Sequence, residues 1–454
     1  MISPKCNELE VEIKNLIKVW LKVLASLSYC YFISSNIPKG ILRFLSLSPI
    51  FYLFTILPFQ LSLVLPIGIT SFFITWLTNF KLLLFTFDLG PLSSNPKISL
   101  PLFLTFACLP IRITQKQKHP SKFNILLPIK ALFFCLFLIS LNDQKQKQKM
   151  HPSIIIMGLY CSLIYLLLDL VLGFFNILIY LVFGIELELP SNEPYLSSSL
   201  GDFWGKRWNL MVTYILRHTV YIPVRKLMSK TILGPQCTQS VGIIATFLVS
   251  GLMHELLFYH VTHVTPTWEV TCFFMLHGVC VVVEIGVKKW LDHKWRVHWA
   301  ISGPTTVVFV VSTAAWLFFP PLLRDGADQR TIEEFKFFDC LVGMVLFFGY
   351  MLSHWSNLKS AEAVDISEAF SGSVVVSLRC FSLIILFRKH PLISSIAVLP
   401  HGGNFPNFCP LELEDSFPTV SCKYGGFRMV AELILITSVV AFIYRYLGLQ
   451  PNLA

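Results

Sequence analysis

The stretch Asp202-Phe203-Trp204-Gly205-Lys206-Arg207-Trp208-Asn209 breaks into a chain that elsewhere offers mostly Leu, Ile, Phe and Val. Two tryptophans, two adjacent cations and an amide follow one another within it. A second polar intrusion lies downstream, where His254 and Glu255 end the apolar run from Val241 to Met253. An ionisable side chain at membrane depth is costly and marks a functional site by default. Together the two places predict a reaction centre inside a bilayer.

Composition sets the class. The chain has 454 residues, of which 54% are hydrophobic and 14% charged, and 40 are Phe; its mean hydropathy is +0.66. A soluble domain carries roughly 25% charged residues, so this chain lacks the means to cover a water-facing surface. An all-α polytopic membrane protein is expected. The net charge of +10 does not point to nucleic acid, because the cations lie in short runs between apolar segments and no nucleic-acid motif is present. Basic loops beside membrane spans follow from cytoplasmic retention and anionic lipid. The 12 Cys are scattered without paired zinc-type spacing and read as small buried hydrophobes. Glu8, Glu10 and Glu12 stand where a cleavable signal would be basic, so the first span is expected to act as an uncleaved anchor.

Apolar segments near the spanning length of about 20 residues fall at 15–35, 41–58, 61–87, 98–113, 123–141, 153–185, 241–260, 268–288, 301–323, 338–355, 374–400 and 428–447. Pro49, Pro58 and Pro66 interrupt the early ones, and 98–113 is short. Roughly eight to eleven transmembrane helices are therefore expected, around the reaction centre inside the bilayer that the two polar places predict. Lys14, Lys18 and Lys22 form a helical stripe, either interfacial or solvated. The basic loops 112–122 and 142–149 flank one segment and leave its orientation open. Residues 186–240 run from acidic to basic, ending in Arg217, Arg225, Lys226 and Lys230. After residue 356 the character changes, giving a division into 1–356 and an appended 357–454.

The residue types allow several chemistries. His254 is either a structural histidine bonded to a carbonyl or a general base, whose ordinary pKa suits proton transfer near neutrality. A zinc site of the HExxH type fails because Phe258 occupies the second His position, and no metal is expected. The Asn209 amide can donate to a developing oxyanion or hold a substrate carbonyl. Trp204 and Trp208 share one helical face and suit either a substrate wall or an interfacial aromatic belt. Lys206 and Arg207 either snorkel to headgroups or hold a phosphorylated cosubstrate.

Two patterns in combination are specific. Phe203-Trp204-x-x-Arg207-Trp208-Asn209, followed by a span with Ser250-Gly251-x-x-His254-Glu255, resembles the membrane-bound O-acyltransferase superfamily. The run Ser199 to Thr213, the preceding Asn192-Glu193-Pro194-Tyr195-Leu196, and the opening Ile17-Lys18-Val19-Trp20 and Ile37-Pro38-Lys39-Gly40 are similar to its plant wax synthase branch. The resemblance covers roughly 8–356. Gly201, His218 and Ile222 depart from that branch, where Gln, Pro and Asp are expected, which bears on substrate choice.

The resemblance implies a long-chain-alcohol O-fatty-acyltransferase of the endoplasmic reticulum membrane. It would move a fatty acyl group from acyl-CoA to a fatty alcohol, with His254 as catalytic base and Asn209 as its polar partner. No resident cofactor is implied, acyl-CoA being a cosubstrate. The CoA nucleotide is too charged to enter hydrocarbon and is expected at the cytoplasmic mouth, near Trp204, Lys206, Arg207, Trp208 and Arg225. A sterol acyltransferase is the alternative within the same branch, followed by a diacylglycerol acyltransferase. A transporter is the alternative from another class, but matching broken spans in two halves are lacking.

Overall fold

The computed structural model describes residues 4–32, 34–93, 98–109, 126–146, 154–185, 188, 190–230, 234–291 and 298–337. Every regular element among them is helical. The order is α1 (Pro4–Phe32), α2 (Ile41–Ile56), α3 (Val64–Thr86), α4 (Leu100–Cys108), α5 (Leu126–Gln146) and α6 (Ile154–Phe183). A segment of short turns then leads to α7 (210–228), α8 (Pro235–Thr262), α9 (Glu269–Trp290), α10 (Trp299–Phe318) and α11 (Ala327–Phe337).

Seven helices among the described residues are long and apolar enough to cross a membrane. The chain is thus an all-α polytopic membrane protein. Two expected spans shrink. The segment 98–113 holds only the nine-residue α4, about 14 Å at 1.5 Å per residue. In α5 the apolar stretch is Leu127–Leu141, short of the thickness of a bilayer. The expected spans at 338–355, 374–400 and 428–447 lie outside the described residues, as does residue 357 onward.

The helices are inverted relative to those of a soluble bundle. On α1, Val19, Val23, Leu27 and Cys30 are buried at helical spacing, while Val11, Ile13, Ile17, Leu21 and Leu24 are exposed. An exposed apolar face suits lipid. Lys14, Lys18 and Lys22 share that outer face; Lys14 pairs with Glu10 and Lys22 reaches Gln60 at 2.8 Å. Nor does Pro49 end α2. It leaves the Leu45 carbonyl without its helical donor, and the Ser48 hydroxyl takes that place at 2.8 Å.

Helix ends decide where the buried charges sit. Glu12 and Glu334 together accept four successive amides, Ser62 to Leu65, at the start of α3. Arg43 donates to the Ile37 carbonyl, to Phe85 in the last turn of α3 and to Asp88. Lys81 donates to the Phe106 and Leu109 carbonyls at the end of α4. Glu255 accepts the Thr271 amide in the first turn of α9 at 3.0 Å. Each satisfies backbone groups that a helix leaves open, with the sign of charge its dipole favours. Asp169 on α6 differs: it takes Lys130 of α5 and the Ser191 hydroxyl, each at 2.5 Å.

Helices α8 and α9 pack along each other, and a glycine sets their approach. A Cβ at Gly251 would lie 3.0 Å from the Thr271 Cα. Backbone does not yield cheaply, so a side chain there must part the helices. Gly251→Val should therefore lower the thermal midpoint of the detergent-solubilised protein, by an overpacking cost of about 1–3 kcal/mol. Gly286→Ala, where a Cβ meets nothing within 4 Å, should leave it near wild type.

Candidate active site

Four stretches of wide, π-type turn occur among the described residues: Ser71–Thr78, Phe203–Arg207, Arg217–Tyr221 and Ala314–Phe318. All contribute walls to one cavity. Wide turns often mark functional places, because they re-aim side chains within a helix. The cavity measures about 970 Å³, at the upper end for ligand sites, which run from roughly 300 to 1,000 Å³. Its walls are mainly Leu, Ile, Val and Phe. On α8 the wall runs from Ile243 to Val261, about 27 Å of helix. That approaches the roughly 30 Å hydrocarbon thickness. The space is long and apolar, fit for extended chains.

His254 faces this space between those two limits. Its ring stacks on Phe274 at 4.4 Å between centroids and meets Trp76 at 4.8 Å with planes 81° apart. Phe318 stands 5.8 Å away. Nδ1 lies 2.8 Å from the Ser250 carbonyl. A carbonyl only accepts, so Nδ1 carries the proton and Nε2 of the neutral ring keeps its lone pair. Among the described residues no group claims Nε2.

Among the described residues two other histidines lie in the spans, and both are fully engaged. His260 Nε2 donates to the Thr55 carbonyl at 2.9 Å, and Nδ1 accepts from the Ser71 hydroxyl at 2.6 Å. That joins α8 to α2 and α3. On α9, His277 Nδ1 accepts from the Trp204 indole at 3.0 Å, which leaves Nε2–H to donate to the Thr313 hydroxyl at 2.8 Å. Thr313 in turn donates to the Phe309 carbonyl. The chain Trp204–His277–Thr313 thereby ties the signature segment to α9 and α10. Trp204 is thus both a wall of the cavity and a held element of the fold.

Asn209 also lines the cavity. It takes left-handed backbone (φ 34°) and caps α7, its side-chain oxygen accepting the Val212 amide at 3.2 Å. Asparagine is among the few residues suited to both demands. The amide nitrogen is the end left to meet a ligand. Trp208 stacks on Phe203 at 5.5 Å with planes 16° apart and lines the cavity.

The cations separate. Arg207 is engaged within its own segment: Nε donates to Asp202 at 2.7 Å, and Nη1 donates to the Asn192 and Glu193 carbonyls at 3.3 and 3.4 Å. It clamps the signature loop, and it is not among the residues facing the cavity. Lys206 is exposed. Arg225 is exposed and lies over the Tyr221 ring at 5.5 Å. Arg217 is both exposed and part of the cavity wall, which places it at an opening. Gly201, one of the three positions at which the sequence departs from the wax synthase pattern, gives its amide to Glu284 at 3.1 Å.

Trp76, Tyr165 and His277 were not singled out from the sequence, because each is one aromatic or imidazole side chain within an apolar run. Trp76 Nε1 and the Tyr165 hydroxyl are buried without a hydrogen-bond partner among the described residues, and both residues line the cavity. An unpaired buried donor costs about 1–3 kcal/mol, so these are places where a ligand gains most by arriving.

Among the described residues, one histidine with a free ring nitrogen faces this long apolar chamber. The profile of the membrane bound O-acyl transferase family matches residues 189–276, the span that holds the signature loop and α8. The chain is 44% identical over 338 residues to the probable long-chain-alcohol O-fatty-acyltransferase 1 of Arabidopsis thaliana, covering 72% of this chain and 96% of that one. It is 41% identical to the long-chain-alcohol O-fatty-acyltransferase of Simmondsia chinensis, covering 72% and 95%. It is 42% identical to the acyl-CoA–sterol O-acyltransferase 1 of Arabidopsis thaliana, covering 71% and 94%. The chain belongs to the membrane bound O-acyl transferase family.

The Asp202–Arg207 clamp predicts an acid limit. Burial acts to raise the Asp202 carboxyl, but the Arg207 guanidinium and the Ser198 amide outweigh it and hold the group below the usual carboxylate range. A depressed folded value stabilises above the ordinary aspartate pKa, about 4, and the contribution fades as pH falls through the folded value. The thermal midpoint of the solubilised wild type should drop in that acidic window. Asp202→Asn should start lower at pH 7 and lose less on acidification.

Proposed function

We propose that the protein is a long-chain-alcohol O-fatty-acyltransferase, taking a fatty acyl group from acyl-CoA to a fatty alcohol. The observation that carries this reading is the unclaimed Nε2 of His254 inside a long apolar cavity. The names of the relatives supply the substrate class. In this reading Nε2 accepts the alcohol proton while the hydroxyl oxygen attacks the thioester carbonyl. The new C–O bond forms, the C–S bond breaks, and the proton passes from His254 to the departing thiolate. A wax ester and free CoA leave. The Asn209 amide nitrogen holds a substrate carbonyl or hydroxyl, its oxygen being committed to the cap of α7.

The acyl chain and the alcohol lie in the apolar chamber. The CoA nucleotide stays at the opening by Arg217, with Lys206 and Arg225 as further cations and Trp204 and Trp208 forming the adjoining wall; guanidinium groups suit phosphate best. The membrane is that of the endoplasmic reticulum. A sterol acceptor is the second reading, favoured by the sterol acyltransferase among the relatives. Microsomes expressing the protein, given labelled acyl-CoA with fatty alcohol, sterol and diacylglycerol side by side, test the proposal. Wax ester as main product supports it. Sterol ester as main product moves the acceptor to sterol, and no ester from any acceptor refutes acyl transfer.

The base role has its own test. His254→Ala should lower kcat by roughly 10²–10⁴-fold, with protein level and membrane insertion near wild type. His254→Gln should fail as well, because an amide donates like Nδ1–H but does not take a proton at neutral pH. Near-normal turnover in the Gln variant would make His254 structural.

The division of the chain is also a proposal. The relatives align with about 72% of it, and the transferase is assigned to 1–356, leaving 357–454 as an extension. A chain ending at Ser360 should insert and turn over like the full protein. Loss of activity in a truncated chain that still accumulates would assign the extension a part in the reaction.

A further inference from the structure

The family signature and His254 leave one feature of the chamber unused. Trp76 lies outside both, on the wide turn Ser71–Thr78 in the middle of α3. It is 3% exposed. Its ring stands 4.8 Å from that of His254, it borders the cavity, and its indole N–H has no partner among the described residues. A second indole in this wall behaves differently: Trp204 Nε1 donates to His277 Nδ1 at 3.0 Å. Evolution of a packing residue has no need of the nitrogen, since phenylalanine fills walls throughout this chamber. An indole is a donor only, and it is uncharged, so it can be held ready in an apolar place where a cation would be costly.

The position matches a requirement of the reaction. When the alcohol oxygen adds to the thioester, the carbonyl oxygen gains negative charge. The reacting carbon must lie within reach of His254 Nε2, because the base takes its proton from the attacking oxygen. His254 itself offers no donor there: Nδ1–H is held by Ser250 and Nε2 is an acceptor. Besides the Asn209 amide, a neutral donor beside the imidazole can share that charge.

We propose that Trp76 is a catalytic residue whose indole N–H donates to the thioester carbonyl oxygen and stabilises the oxyanion as the alcohol adds. This rests on the acyl-transfer reading above. The step consumes no further reagent. The oxygen–carbon bond forms, electrons move onto the carbonyl oxygen under the indole N–H, and their return expels the thiolate.

The test replaces the nitrogen and keeps the shape. In the full-length protein, Trp76→Phe and the same position carrying 3-benzothienylalanine, an indole isostere with sulfur for N–H, are compared with wild type. Two CoA probes that do not react are used: a 2-oxoalkyl-CoA, which retains a carbonyl one methylene from sulfur, and an S-alkyl-CoA, which has none. Loss of a single oxyanion donor lowers kcat by about 10²–10³-fold in a preorganised site. A fall of at least tenfold in kcat is expected in both variants, with little change in the acyl-CoA KM. Wild type should bind the oxo probe more tightly than the alkyl probe, and the isostere variant should lose that preference while binding the alkyl probe as before. If the isostere variant keeps kcat within about threefold and keeps the probe preference, Trp76 only shapes the aromatic wall and the proposal is overturned. If Trp76→Phe fails to accumulate, the isostere alone decides. A wild type that forms no ester from acyl-CoA would instead overturn the acyl-transfer reading, which the first assay detects before any variant is made.

Discussion

A helix that ends away from water leaves backbone amides or carbonyls with nothing to meet them. Each such group costs several kcal/mol if left open in hydrocarbon. This constraint organises the protein. The start of α3 is held by Glu12 from α1 and Glu334 from α11, its end by Arg43 from α2, the end of α4 by Lys81 from α3, and the start of α9 by Glu255 from α8. These residues are at most 5% exposed. Each joins two helices, so the same contacts that satisfy helix ends also fix which helix lies beside which. The chamber is the space this scaffold leaves open.

The same principle separates reactive from structural groups. Burial of an ionisable residue in a membrane is a reason to suspect function, yet most such residues here are accounted for by backbone ends. The histidines divide in the same way. His260 and His277 use both ring nitrogens to join helices. His254 uses one. What distinguishes it is the vacancy in its hydrogen bonding, set against the cavity and framed by Trp76 and Phe274. The arrangement holds the ring in one tautomer and one orientation before any substrate arrives, which is how a base gains from preorganisation.

Much of this was legible in the sequence. Hydropathy gave the membrane class, and two motifs marked the loop and helix that meet at the chamber. Asn209, Trp204, Trp208 and His254 all border the same cavity. Arg207 shows what the sequence leaves open. A cation next to a tryptophan looks alike in sequence whether it meets phosphate or a neighbouring carboxylate, and the structure engages it with Asp202. At α4 and α5 the helices are shorter than the expected spans, because an apolar run does not reveal where a helix begins and ends. Glu255 follows His254 directly in the sequence, but successive residues on a helix point about 100° apart, and it turns to α9. Trp76 carries no signal of its own, since its importance comes from the absence of a partner, which only packing reveals.

The central claim is that His254 presents an unprotonated Nε2 to the chamber because Ser250 holds the proton on Nδ1. Nitrogen-15 NMR of the protein in lipid, with labelled histidine and the His254 signals assigned by comparison with His254→Gln, measures this directly. The account predicts a protonated Nδ1 and an unprotonated Nε2 at neutral pH. A proton found on Nε2 and absent from Nδ1 would contradict it, because the nitrogen facing the substrate would then be unable to act as the base.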